Sequence, residues 1–459
     1  MPLTDKESAL VTELRDKISR QKVLDRAARD RFDGTAKIKH LGIALPPEAE
    51  KFAFYPNWVR TYVKMIEERM DVRLLVREGT VDEDPELRHV WAANHLDLHS
   101  HTFHTDLLVY GRAAVSVSRG SDGTPRVVVE DPRNLAVKTN LITGETEAAL
   151  RVYTDDADKT GVEQVETVVL YTPEDIIICK GDVAGLREDV ERIPHRLGRV
   201  PVVMAQLLMD SGDKNGQPVA KDLFDIVDLA GRTLMLLQLA METVATPQKI
   251  AAGVSKEDFK NPDGTLNMDT WSRYYGSIWA INDPDAKVTQ LPEASVNGFH
   301  STMDMLVSQA SAVTGLPPRL LGRSTANPAS EGAIRAEESR LIKTVERVNT
   351  AAGAAWGWAL GIAMRIISNS WEDGSVDVVW QNPATPTEAQ QADRLQKLTG
   401  GKPVMSVRGA MEELPWSALR KQKEMEWLGE EADRELGYTA MDEPGDPYVT
   451  GADERDQYN

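Results

Sequence analysis

Four of the chain's eight histidines fall close together, at His95, His99, His101 and His104. On a helix the first pair is four residues apart and the second pair three, spacings that put two imidazoles on one face and permit a metal ion between them. Neither a cysteine nor a companion acidic motif stands beside them, so a polar helix surface or a subunit contact is the favoured reading. A metal-dependent hydrolase built on His95–His104 is the alternative. The single cysteine, Cys179, excludes an intrachain disulfide and any multi-cysteine metal centre, as in a reducing compartment. There is no G-x-x-x-x-G-K-[ST] phrase: Gly400-Gly401-Lys402-Pro403 lacks the hydroxyl and has proline where an amide donor is wanted. H-E-x-x-H and G-x-S-x-G are absent too. No catalytic residue, metal or cofactor is expected, and no nucleotide-driven motor.

A second group of chemically useful side chains lies in LPPRLLGRSTANP, where Arg319, Arg323, Ser324, Thr325 and Asn327 share one short connection. Two cations with hydroxyl and amide groups on a loop can touch a phosphate backbone transiently, and an ordinary exposed helix connection has the same composition. The charge balance bears on this. With 53 basic and 72 acidic residues the net charge is −19, the wrong sign for a tight, passive grip on nucleic acid. A surface past which nucleic acid slides remains compatible with it. Residues 430–459 carry ten acids against Arg434 and Arg455 and read as a solvated, unfolded tail. The opening MPLTDKESAL has no apolar core of signal-peptide type, so a chain of cytoplasmic origin is expected.

The connection sits between two helical patterns. Asn327, Pro328, Ser330 and Glu331 form a helix-start signal. From there Ile334, Leu341, Val345, Val348, Ala352, Trp356, Ala359, Ala363 and Ile366 recur at three- and four-residue steps, with one polar turn at Glu338. The predicted helix, 331–368, is a rod longer than a compact domain needs, of the kind that organises an assembly. Gly353, Gly357 and Gly361 make one of its faces smooth, so close packing against a neighbouring helix or subunit is expected. Its uncharged window, 349–364, is too short to span a bilayer. Upstream, LMLLQLAMETVA is apolar almost all round and must be covered on several sides, with Leu234, Leu237 and Met241 as subunit-packing candidates. Charges along that helix argue against a membrane span.

The remainder reads as helices over 5–31, 57–70 and 86–109, then short Val/Ile/Thr runs from Arg112 to Val203 broken by Asp-Gly, Thr-Gly and Pro. QKIAAGV and GSIWAIN are strand-like, VDVVW at 376–380 is a further strand, and 387–435 gives two or three charged helices. The class is α+β, mainly helical, with a β-rich insert in the N-terminal half.

Four stretches, in this order and spacing, resemble the portal proteins of tailed bacteriophages, in the branch common among phages of actinobacteria. They are LPPEAEKF with NWVRTYV, WAANHLDLHSHTFHTDLLVYGRAAVSV, LFDIVDLAGRTLMLLQLAMETVATPQ, and TGLPPRLLG with NPASEGAIRAEE and the long helix. The resemblance implies a wing over 1–217, a stem helix over 218–246, a clip over 247–297 and a second stem helix over 298–315. A tunnel loop over 316–330 would follow, then the long helix and a wing return strand over 331–386, crown helices over 387–435 and the acidic tail over 436–459. It implies a homo-oligomeric ring, typically of 12 copies, at one capsid vertex, passing double-stranded DNA inward and later outward. Arg319, Arg323, Ser324 and Asn327 would face that DNA. The implied partners are the major capsid protein, the terminase large subunit and a head-completion or adaptor protein. A capsid-associated scaffold that does not enclose DNA is the other non-enzymatic reading.

Overall fold

A computed structural model describes residues 3–36, 54–154, 166–180, 189–208, 210–213, 215–245, 249–252, 263, 278–281, 297–323, 331–371, 375–384, 388–414, 416 and 418–441. Helix α1 (Asp5–Asp33) starts where the Glu7 amide donates to Thr4 Oγ1 at 3.3 Å and the Thr4 amide donates to Glu7 Oε2 at 2.7 Å. This reciprocal pair satisfies two of the orphan donors at the helix start. Gly34, at φ 72, ends the helix. Then come α2 (Trp58–Glu67), β1 (Val72–Arg77), α3 (Pro85–Ala93) and α4 (Leu96–Tyr110).

The single helix expected over 86–109 is two. Asn94 donates from Nδ2 to the carbonyls of Val90 at 2.9 Å and Pro125 at 3.2 Å and accepts from the Val127 amide at 3.0 Å. That pins the chain to a neighbouring strand, and His95 leaves the helical region at φ 52.

The β-rich region holds β2 (Arg112–Arg119), β3 (Pro125–Glu130), β4 (Leu135–Thr139), β5 (Thr146–Thr154), β6 (Glu166–Tyr171), β7 (Asp175–Lys180), β8 (Asp189–Pro194) and β9 (Val202–Gln206). β4 to β8 form an antiparallel meander in chain order, and β3-β2-β9 a separate antiparallel sheet. Alternation along the meander buries both faces. Leu150, Val168, Leu170 and Ile177 pack with Val11, Leu14 and Ile18 of α1, while Ala149, Val169 and Tyr171 pack with Ala114, Val200 and Val202. The charged β8 was not foreseen. Its Arg192 donates twice to Glu7, at 2.9 and 2.7 Å, and that bond holds the Glu7 carboxyl down at about 2.

Helix α5 (Phe224–Ala245) leads to β10 (Lys249–Ala252) and β11 (Ile278–Ile281), a parallel pair. Helix α6 (Asn297–Thr314), the long helix α7 (Glu331–Ser368) and β12 (Val376–Trp380) follow. β12 pairs antiparallel with β1, so a strand from the far end of the chain closes onto the N-terminal helices. One core joins α2, α3, α4, β2, α5, α6 and α7. The chain divides into two compact units, Met1–Ala384 and Thr385–Asn459. In the second, α8 (Glu388–Thr399), α9 (Val407–Glu413) and α10 (Ala418–Met441) are joined by Gln391 donating to the Glu413 carbonyl at 2.7 Å and by Lys421 on Glu412 at 2.8 Å. The architecture is α+β and mainly helical, as expected; the tail beyond Met441 lies outside the described residues.

Asp106 of α4 gives the fold a pH dependence. Burial pushes its carboxyl up to about 7, with Asp131 adding to the rise and Arg133 and Arg29 opposing it. The folded protein keeps this proton up to about pH 7, whereas the unfolded chain releases it near 4. The unfolded state therefore binds fewer protons in that interval, and the contribution of this group to stability is lost as pH rises through it. Asp106→Asn removes the titration, so its melting temperature should exceed that of wild type by more at pH 8 than at pH 5 in thermal unfolding scans.

Candidate functional site

The residues singled out from the sequence converge on α5, α6, the connection after α6, and α7. Arg31 of α1 fixes the base of α5, donating to both Asp228 oxygens at 3.0 and 2.6 Å while its guanidinium lies 5.0 Å from the Phe224 ring centre. Val227, Ala230 and Met235 are buried in the chain's own core. Farther along, the cover stops: Leu234 and Leu237 are half-buried and Met241 is 57% exposed. Helix α6 packs beside α5, burying Leu306, Val307 and Ala310 but leaving Met305 exposed. The two helices form a stem whose proximal turns belong to the core and whose distal apolar side chains have no cover within this chain.

The connection is anchored at both ends. Leu316 and Leu321 are buried, and the Thr314 hydroxyl bridges the turn, donating to the Ala310 carbonyl at 2.7 Å and accepting from the Leu316 amide at 3.1 Å. Arg319 donates from Nη2 to Glu338 Oε1 at 2.7 Å, and Arg69 approaches the other Glu338 oxygen at 4.0 Å. The polar turn in the α7 stripe is therefore the acid that holds this arginine. Arg323 is half-exposed, with Nε 3.8 Å from Asp304 and Nη1 3.4 Å from Ser308 Oγ. Ser324 and Asn327 lie outside the described residues. Sequence reasoning missed Arg340, whose guanidinium donates to the Ala312 carbonyl and, at 3.1 Å, to the Val313 carbonyl. A cation on the last carbonyls of α6 satisfies orphan acceptors and suits the negative end of the helix dipole. Its guanidinium thereby fastens α7 to the end of the stem.

With 38 residues, α7 runs roughly 57 Å at 1.5 Å per residue. By length and composition Glu338–Ser368 can cross a membrane. Leu341, Val345, Val348, Trp356 and Ala363 are instead buried in the protein core, so the apolar stripe is a packing face. The smooth glycine face is split. A Cβ on Gly353 would meet Trp380 Nε1 at 3.2 Å and one on Gly357 would meet the Val376 carbonyl oxygen at 2.3 Å, whereas at Gly361 nothing lies within 4 Å. The chain's own β12 takes up the first two positions. Gly357→Ala should therefore lose about 1–3 kcal/mol from forced displacement of β12. Gly361→Ala should be neutral or gain up to about 1 kcal/mol from helix propensity. Paired urea titrations measure both.

The histidines do not converge. His95 caps α4, His99 and His101 are exposed, and His104 is fully buried. His101 Nδ1 is 2.7 Å from Glu67 Oε1, and His104 Nε2 accepts from the Trp356 indole at 3.2 Å. Burial, with His101 adding, pushes the His104 imidazole down to about 3, so it is neutral. Among the described residues, no group of three or more His, Cys, Asp or Glu side chains is placed to hold a metal ion.

A helical and sheet body whose apolar stem runs out of its own cover is built as a subunit of a larger assembly. Residues 55–437 match the family described as phage portal protein, SPP1 Gp6-like, and the chain belongs to that family. The portal protein of Mycobacterium phage L5 is 32% identical over 440 residues, covering 92% of this chain and 88% of the relative. That of Mycobacterium phage D29 is 32% identical over 437 residues, with the same coverage of 92% and 88%. Among solved structures, a chain from the virion of a native gene transfer agent particle aligns with 85% of this chain and 99% of its own at 14% identity and a TM-score of 0.43. A chain from the neck of an empty particle, computed with C6 symmetry, aligns with 81% and 94% at 12% identity and 0.46.

Proposed function

We propose that copies of this portal-family chain close into a ring, of 12 by family analogy, that admits double-stranded DNA to a capsid at one vertex and later releases it. The observation that carries this is the stem: Leu234, Leu237 and Met241 continue the buried stripe of α5 past the point where their own chain covers it. Adjoining stems would supply the missing cover. In this reading 1–217 is the wing, 218–246 and 298–315 the stem, 247–297 the clip on which the terminase docks, and 387–435 the crown. The major capsid protein and a head-completion protein would meet the ring from outside, and the ring would be assembled in the host cytoplasm.

Residues 316–330 would face the DNA. Arg319 and Arg323 are both partly exposed and both matched with an acid, so a passing phosphate competes with a carboxylate for each guanidinium. Such contacts are weak and exchange readily, and a net charge of −19 weakens any grip further. That suits passage better than retention. Electron microscopy of the purified protein tests the reading. Closed rings in top view, with a countable symmetry, are expected; monomers alone at high concentration overturn it. Cross-linking of packaged particles should yield DNA adducts on peptides from 316–330, and adducts elsewhere only would remove the loop assignment.

A further inference from the structure

Away from the stem, the wing side of α7 carries an exposed aromatic surface that no function above has used. Trp358 is 51% and Trp371 40% exposed, and the Arg199 guanidinium is sandwiched against both, 4.9 and 5.4 Å from the ring centres. Arg365 lies 5.9 Å from the Trp371 ring centre. Between them is a hollow of about 650 Å³, with Gly361 and Met364 in its lining. A second hollow, of about 500 Å³, shares Arg199 and Trp358 and runs to the β4–β5 turn. That turn is stiff, because Asn140 Oδ1 accepts from the amides of Ile142 at 2.8 Å and Thr143 at 3.1 Å. It presents Leu141 at 80% and Ile142 at 95% exposure.

We propose that this tryptophan and arginine surface seats a second copy of the chain, forming a subunit contact distinct from the stem. The inference rests on the ring reading and names where the neighbouring wing is held. Three observations favour a copy of the same chain as occupant. The first is area: a stable interface needs roughly 800 Å² per partner, more than the few uncovered side chains over two turns of α5 offer. The second is charge. Two copies at −19 each repel, and Arg199 and Arg365 bring guanidinium groups to a surface where an acidic neighbour is met favourably. The third is composition, since tryptophan and arginine are the residues that anchor interfaces, and a contiguous exposed apolar surface of this kind marks a contact site. Gly361, with nothing within 4 Å of a Cβ position, leaves room for the incoming side chain.

The test uses the full chain. Gly361→Trp fills the hollow, and Ile142→Asp and Trp358→Ala alter exposed positions, so at least two variants keep the native fold by urea midpoint. Each folded variant should need at least tenfold more protein than wild type to form rings, read by native mass spectrometry and particle counts. Benzoylphenylalanine in place of Ile142 should cross-link one copy to another within assembled rings. If wild type forms rings and the folded variants assemble at unchanged concentration, or the photocross-links reach only a different protein, this inference is overturned and the ring reading stands. Wild type that stays monomeric at every concentration overturns both.

Discussion

Truncating Trp356 to alanine should remove about 3–5 kcal/mol of stability, the range for losing a fully buried aromatic side chain. Its ring is fully buried, 4.7 Å from the Phe103 ring centre and 5.1 Å from that of Trp91, met edge-on. Deleting it leaves a cavity where α3, α4 and α7 meet. It also strips His104 of the indole proton that its Nε2 accepts at 3.2 Å, and a buried acceptor without a donor costs a further amount of about 1–3 kcal/mol. Trp356→Phe separates the two terms, because it keeps most of the ring and loses only the bond. Urea unfolding of both variants should show alanine far below wild type and phenylalanine between them. Equal midpoints for Trp356→Ala and wild type would mean that the stripe of α7 does not organise this core.

The second large effect is expected at Asp25. Both its carboxylate oxygens accept from Arg112, at 2.9 and 2.7 Å, and both side chains are about 95% buried. Arg112 also donates to the Pro132 carbonyl at 3.1 Å, so the guanidinium is held in place whatever happens to the acid. Asp25→Ala thus leaves a buried cation without its counter-charge, and the expected loss is about 3–5 kcal/mol. The double variant Asp25→Ala, Arg112→Met should recover most of that loss, since removing both charges also removes their desolvation. A denaturation cycle over the four proteins measures the coupling directly. It also asks whether α1 stays on β2 once the pair is gone.

Much of this was legible in residue order. The α7 stripe from Leu341 to Ile366 repeats too regularly to be anything but a helix, and Asn369 ends it at φ 56. The Val-rich runs between Arg112 and Val203 became strands because β-branched residues alternate there between turn residues. Three features were hidden, each because its cause lies far away in the chain. The break at His95 depends on Asn94 reaching Pro125 and Val127. Strand β8 looks too charged for a strand until Arg192 meets Glu7, 185 residues away. The pattern showed Gly353 and Gly357 as a smooth face without saying that the chain's own β12 would lie on it. For the connection, periodicity marked Glu338 as the polar exception in the stripe but could not identify Arg319 as its partner.

The two attachments at the start of α7 have a mechanical consequence. Arg340 grips the terminal carbonyls of α6 and Glu338 grips the connection, while the same continuous helix has its other half wedged among α3, α4 and β12. Force applied where stem and connection meet therefore has no soft segment of this helix in which to dissipate. It travels along the helix as a strut and arrives at the seat of Trp356, so a pull in an optical trap should be borne first by that aromatic cluster rather than by the loop that receives it.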